Sequence, residues 1–546
     1  MRRVFALPDT NMFVTVFILY SLIEAEKNGV NLNKEIVDMG AEAMSEYRDK
    51  NLDRDSGLYC FWQQTRNETS NHYFSYPSNL NGPLDDFPNL SKSPISILLK
   101  AFKIDFSKVA TLFHQLSLFL RVSPDSDDTS VILALNAQID NSAFKYPETN
   151  FKMKASNPNI NKTIESLTYY TYRPFSEDKK RNAVNPRTYF VIHQFIEDWV
   201  SNGRNQEDLV LPFTWMMDFP FRSDQYPFTN LVISSNDIDF CVAINTFYGL
   251  ASSIIQHGNS IISLEVKRML SSIAYLIEWG INSELVYDRK DLALVYYPSI
   301  YTFSWFVSRV VDFLETENQK SQNQMPSILN DSLVLLRDAM MNGGTNQMLK
   351  RMKSDGNGGV YWEDFLGNAD TLQGVKKEYG EDRFYSSALA LNVLIDTWTI
   401  TCGDTVNRRW RDNTPHPVKA AVNNGISFIV DNILENPTQT FNAFFDMSFR
   451  GPSTYPTSYP INYCYDNNGI ECKFTPSNPE GVMGVVSGII PHTKYQEMLK
   501  MKWANNTVPT TWSGSFNPVV IPYFSSQPLT YSVSILALSK SLNIQT

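Results

Sequence analysis

Six apolar segments, each opened by a polar or acidic turn, recur along the 546 residues, and this repeat restricts the fold more than any other feature of the chain. The first follows Asp9, Thr10 and Asn11 and covers 13–17, the second follows an acidic cluster at 125–129 and covers 130–135, and the third follows Asn236, Asp237 and Asp239 and covers 240–251. The fourth follows Tyr296, Tyr297, Pro298 and Ser299 over 300–313, the fifth follows Glu381, Asp382 and Arg383 over 384–398, and the sixth follows Pro528 over 529–538. Between them lie segments with a single apolar stripe, at 34–47, 187–200, 264–279, 327–341 and 418–434. A helix that is apolar on most faces requires burial, whereas a striped helix keeps one side in water. Six of the first kind alternating with the second kind predict an all-α chain whose helical hairpins close into an (α/α)6 toroid. The reading is a single domain over 1–546, with irregular insertions near 53–97, 140–185, 204–233 and 440–525. An open helical solenoid is the alternative.

Inner helices of a toroid run parallel, so their N-termini share one end. This predicts a funnel lined by Asp9, Asn11, Asp125, Asp127, Asp128, Asn236, Asp237, Asp239, Glu381 and Asp382, with Tyr297, Tyr301, Trp305, Tyr385 and Tyr531 just beneath. Each acid taken alone is equally an ordinary helix N-cap. The convergence of many is what points to a site. The 34 Phe, 27 Tyr and 10 Trp suit a packed barrel, a sugar-stacking cleft or a carbocation pocket.

The second helix start concentrates Asp125, Asp127 and Asp128 between Pro124 and Thr129. Acid is gathered where the helix dipole is positive, so one carboxyl can be kept protonated by neighbours that ionise, which is proton-donor chemistry. The pattern resembles the acid motif of the class II, protonation-initiated terpene and triterpene cyclases. That resemblance implies Asp127 as the general acid toward an alkene or epoxide of a linear isoprenoid, with Asp125 and Asp128 raising and orienting its proton. It further implies aromatics such as Trp305 and Tyr301 as cation-π stabilisers and no cofactor. Asp237, Asp239, Tyr297, Asp382, Tyr385 and Tyr531 complete the substrate-facing set. Two turns with an aromatic pair, at 53–62 and 355–362, resemble degenerate forms of the repeats that brace squalene-cyclase-type toroids; those cyclases usually seat the site between two toroids, and one is read here.

Two further readings use the same residues. A carbohydrate-active toroid, glycoside hydrolase or lyase, would pair Asp127 or Asp128 with Asp237, Asp239 or Asp382 as acid and base and stack aromatics on the sugar rings of an oligosaccharide. A non-catalytic binding toroid would leave every acid as a cap with no raised pKa. Other classes find no motif. The charge of -10 comes without a basic run, which argues against a nucleic-acid partner. The longest apolar stretch, 13–22, is too short to span a bilayer, so no transmembrane segment is expected. His72, His114, His193, His257, His416 and His492 form no metal-binding spacing, and no metal site is expected. Phosphate-binding, dinucleotide-binding and nucleophile-elbow glycine motifs are absent. Cys464 and Cys472 flank a turn that can bring them together, and Asn67, Asn89, Asn161, Asn330 and Asn505 begin sequons. Both features leave secretion open without fixing a compartment.

Overall fold

The computed structural model describes residues 11–51, 57–67, 71–75, 122–217, 236–322, 324–364, 369–370, 375–376, 382–402, 406–436, 440–445, 458–466, 470–471, 482–503, 506–512 and 524–545. These residues are predominantly helical, with a few short strands. All six apolar segments are helices: α1 (Met12–Lys27), α3 (Ser126–Asp140), α7 (Phe240–His257), α9 (Ile300–Lys320), α11 (Arg383–Trp398) and α14 (Gln527–Leu542). The striped segments are helices as well: α2 (Lys34–Ser45), α6 (Pro186–Ser201), α8 (Leu264–Asn282), α10 (Ser327–Ala339) and α12 (His416–Asn432). Also present are α4 (Pro147–Ser156), α5 (Ile160–Tyr169) and α13 (His492–Leu499). The segment 140–185, expected to be irregular, therefore carries helices. Its Asn, Thr and Pro residues act at their starts, with Asn159 capping α5 and Pro147 opening α4.

Burial follows the two kinds of pattern. α7 is buried at every position from Phe240 to Ile254 and α11 at every position from Phe384 to Trp398. α2, by contrast, buries only Val37, Ala41 and Met44, one stripe at helical spacing. Asn11, Asp125, Asp239, Ser299 and Ser526 each accept a backbone N–H at the start of a buried helix, which satisfies donors that water cannot reach.

The buried helices pack as successive neighbours: α1 on α3, α3 on α7, α7 on α9, α9 on α11, α11 on α14, and α14 on α1. α2 lies against α1 and α4, α8 against α7 and α10, α10 against α9, and α12 against α11 and α14. α3 and α7 approach backbone to backbone, so that a Cβ on Gly249 would stand 2.6 Å from the Ser130 carbonyl oxygen. Polar pins cross several of these interfaces. Gln138 Nε2 donates to Glu24 at 2.6 Å, Asn392 Nδ2 to the Val533 carbonyl at 3.0 Å, and Lys540 Nζ to buried Asp396 at 2.5 Å.

Both aromatic turns tie helices together. Tyr59 N donates to Thr129 Oγ1 on α3 at 3.1 Å and Tyr59 Oη to Ser156 Oγ on α4 at 2.9 Å. Trp362 N donates to Ser387 Oγ on α11 at 2.9 Å, and its indole to the Met348 carbonyl at 2.8 Å. No described helix is long and apolar enough to cross a membrane. Asp9, Glu381 and Cys472 lie outside the described residues, whereas Cys464 is disulfide-bonded.

Candidate active site

Asp125 is the N-cap of α3, and its Oδ1 accepts from the Asp128 N–H at 2.7 Å. The next turn then delivers Asp127 toward α7 and α9. Asn245 Nδ2 on α7 donates to Asp127 Oδ1 at 2.7 Å, and Tyr297 Oη, three residues before α9, donates to Oδ2. Burial raises Asp127 to about 6, with both donors and the nearby Arg309 cation pulling the other way. Asp125 is pushed up to about 7 by burial; the Asp128 hydrogen bond opposes this and the Asp127 charge adds to it. No described donor reaches either carboxyl oxygen of Asp128. Burial and the adjacent Asp125 charge hold Asp128 well above the carboxylate range.

A second pair of acids faces this cluster from the start of α7. Asp237 accepts from Thr214 Oγ1 at 2.5 Å and Tyr296 Oη at 2.7 Å, and burial raises it to about 6. Asp239 caps α7 through the Cys241 N–H at 2.6 Å and takes the Tyr296 N–H on Oδ2 at 3.0 Å. Burial lifts Asp239 to about 8, and the Asp127 and Asp237 charges add to the shift. The segment around Thr214 seams the two helix starts together: Ser126 N donates to the Thr214 carbonyl at 2.8 Å and Thr214 N to the Asp237 carbonyl at 3.2 Å.

Behind Asn245 stands a buried cation. Arg309 Nη2 donates to Asn245 Oδ1. Its guanidinium carbon lies 4.7 Å from the ring of Phe17, 5.1 Å from Tyr20, 5.0 Å from Tyr248, 5.6 Å from Trp305 and 4.6 Å from Phe306. Five aromatic faces therefore surround one positive charge, which is coupled through a single amide to Asp127. On the other side, Phe445 stacks on Tyr296 at 5.9 Å and on Phe61 at 4.4 Å, covering the helix starts with aromatic surface.

The fold thus brings together Asp125, Asp127, Asp128, Asp237, Asp239 and Tyr297. Asp382 keeps different company. It accepts from the Asp364 N–H at 3.1 Å and from Ser386 Oγ at 2.7 Å, while Lys290 Nζ donates to Asp364 at 2.5 Å. Burial and the Asp364 charge raise Asp382 to about 6. Tyr301 is buried within reach of the Asp364 and Asp382 charges, and Tyr385 Oη meets Thr302 Oγ1 at 3.4 Å. Trp305 belongs to the Arg309 cage, and Tyr531 is half-buried on α14. Sequence reasoning missed Asn245, Arg309, Tyr296 and Thr214. A signal existed for the first two, an amide and a guanidinium among the apolar and small hydroxyl residues of the buried runs 240–254 and 300–311. Comparison of the chain with protein families, with curated proteins and with solved structures finds no match.

Proposed function

We propose that the chain is an (α/α)6 toroid whose inner-helix N-termini carry a general-acid site, and that it starts cyclisation of a linear isoprenoid by protonation from Asp127. The order of neighbours among the six buried helices supports the ring, because α14 returns to α1. The observation that carries the activity is the setting of Asp127. Burial keeps its carboxyl protonated to about pH 6, while Asn245 and Tyr297 donate to its two oxygens. Both donors stabilise the conjugate base more than the acid, so they gain strength as the proton leaves. In the step itself, the π electrons of a substrate alkene take the Asp127 proton to form a C–H bond, leaving a carbocation on the neighbouring carbon and a carboxylate on Asp127. The Arg309 cation, one amide away, favours that carboxylate. Burial raises Asp125, Asp127, Asp128, Asp237 and Asp239 together, which supports a shared site over a set of separate helix caps.

A carbohydrate-active reading has one observation in its favour, the bonded Cys464, which suits an oxidising compartment. Mass-spectrometric product analysis with linear isoprenoids, their epoxides and their diphosphates separates the two. Cyclised product is expected from the wild-type protein and none from Asp127→Asn. Folded protein that turns over no isoprenoid sinks the cyclase reading, and activity on an oligosaccharide panel would then establish the other.

A further inference from the structure

A second cluster lies on α6, away from the acids. His193 and Glu197 are four residues apart on that helix and so share one face. His492, remote in sequence, opens α13 and meets them in space. The three side chains each offer a ligand atom, and these atoms all lie within 4.8 Å of one another.

The state of His193 is what distinguishes this cluster from a chance meeting of polar residues. Its Nδ1 donates to the Phe190 carbonyl at 2.9 Å, which fixes the tautomer and leaves the Nε2 lone pair as the acceptor. That Nε2 is buried and has no hydrogen-bond partner, in a residue only 4 % exposed. A buried imidazole nitrogen with no partner costs free energy unless something accepts its lone pair. The backbone hydrogen bond on the far nitrogen is the second contact that orients ligating histidines. The ring is held by Tyr495 at 4.5 Å and Tyr189 at 5.9 Å.

The opposite side is equally fixed. The short strands β1 (Ala183–Val184), β2 (Tyr463–Asp466) and β3 (Val482–Ser487) form one sheet, with β3 between the other two. Val486 pairs with Val184 just before α6 begins. Ile490 N then donates to Tyr189 Oη at 3.0 Å, and Tyr495 packs edge-on to Tyr189 at 5.3 Å. His492 sits between these anchors at the surface, and its Nδ1 meets Glu197 Oε1 at 2.7 Å.

We infer that His193, Glu197 and His492 bind a divalent transition-metal ion of the zinc class, which clasps the β3–α13 segment to α6. Two imidazoles and one carboxylate are a zinc donor set, and the exposed side of His492 and Glu197 leaves a fourth position to water. Ligand atoms around tetrahedral zinc stand about 3.3 Å apart, by the roughly 2.0–2.1 Å bond lengths. The cluster therefore closes on the ion by rotating the exposed His492 ring, with the metal replacing the proton it now shares with Glu197.

The test uses tag-free, full-length protein stripped with a chelator and dialysed. Titration with Co2+ is expected to give the visible d–d band of a low-coordinate nitrogen–oxygen site, saturating at one equivalent and bleached by Zn2+, with a rise in melting temperature. His492→Ala and Glu197→Gln, both at the surface, should keep the metal-free melting temperature and weaken Co2+ binding by at least about tenfold. His257→Ala should bind as wild type does. Absence of a stoichiometric band in the wild-type protein overturns the inference, and so does a band that survives in the His492→Ala, Glu197→Gln double variant.

Discussion

Asp127 is governed by opposing effects of known sign, which makes its titration the most direct check on the site. Burial raises it to about 6, and Tyr297, Asn245 and the Arg309 charge each lower it. An acid with that value is largely ionised at neutral pH, so turnover should fall as pH rises through about 6. Arg309→Met removes the cation while keeping an unbranched side chain inside the aromatic cage. The Asp127 carboxyl should then titrate at higher pH than in the wild type. Infrared pH titration reads this through the carboxyl C=O stretch that is missing in Asp127→Asn, and an unchanged or lower midpoint would refute the coupling. The same variant leaves Asn245 Oδ1 without its donor and should cost about 1–3 kcal/mol of stability, measured by denaturant unfolding. The acids themselves were legible in the sequence because three of them crowd one helix start. Arg309 stood out only as a lone arginine in the run 300–311, which gives no sign of which rings will enclose it. The division between the Asp127 and Asp382 clusters was equally hidden, because it depends on Asp364 and Lys290, which no helix-start pattern includes.

At the level of elements, the buried helices were readable because a run apolar on all faces has only one stable environment. The outer helices were readable because one stripe at helical spacing does the same for a single face. What the pattern could not give is the spacing between helices, which small residues set. Gly249 on α7 meets Ser130 on α3, with the Ser130 Cα 2.8 Å from where a Cβ would stand. The obstacle is backbone, so no rotamer change relieves it, and Gly249→Ala must spread the two helices. A loss of about 1–3 kcal/mol is expected from such overpacking. Asp127 and Asn245 lie on the same two helices, so the variant should also impair the acid, lowering turnover by more than the loss of folded protein explains. Equal losses in the two would show that the α3–α7 distance is irrelevant to the site. The helices found within 140–185 mark the opposite limit of pattern reading: α4 is short, and it buries only Thr149 and Met153.

For the molecule as a whole, so many buried acids set the response of stability to pH. Asp125, Asp127, Asp237, Asp239, Asp382 and Asp396 are raised from 3.8 to about 7, 6, 6, 8, 6 and 6. A carboxyl that holds its proton more tightly when folded contributes stability that is fully present below its unfolded value and is lost as pH rises through its folded value. Glu24 and Asp312 are lowered despite burial, by cations beside them, and their contribution is lost in the other direction, below about pH 4. His193 and His257, lowered by burial, oppose the acids below about pH 6.5 but are two against six. The melting temperature should therefore fall between about pH 5 and pH 8. Asp239→Asn should flatten the upper part of that fall, because Asp239 stands highest of the six. A melting temperature that climbs across the same range would contradict the protonated cluster.

The contact between α14 and α1 has a consequence for synthesis. α1 buries Phe13, Val16, Phe17, Leu19, Tyr20 and Ile23, and the carbonyl of Asn28 just after it accepts from Asn543 Nδ2 at 2.7 Å. α1 leaves the ribosome before any other described helix, and α14 leaves after all of them. From the emergence of α1 until α14 is made, the nascent protein therefore carries an apolar helix with one flank uncovered, which gives chaperones that hold such segments a long opportunity at α1. A ribosome that stops short of α14 releases a chain with that flank uncovered, so termination just before α14 should yield aggregated or degraded protein rather than a shortened working one.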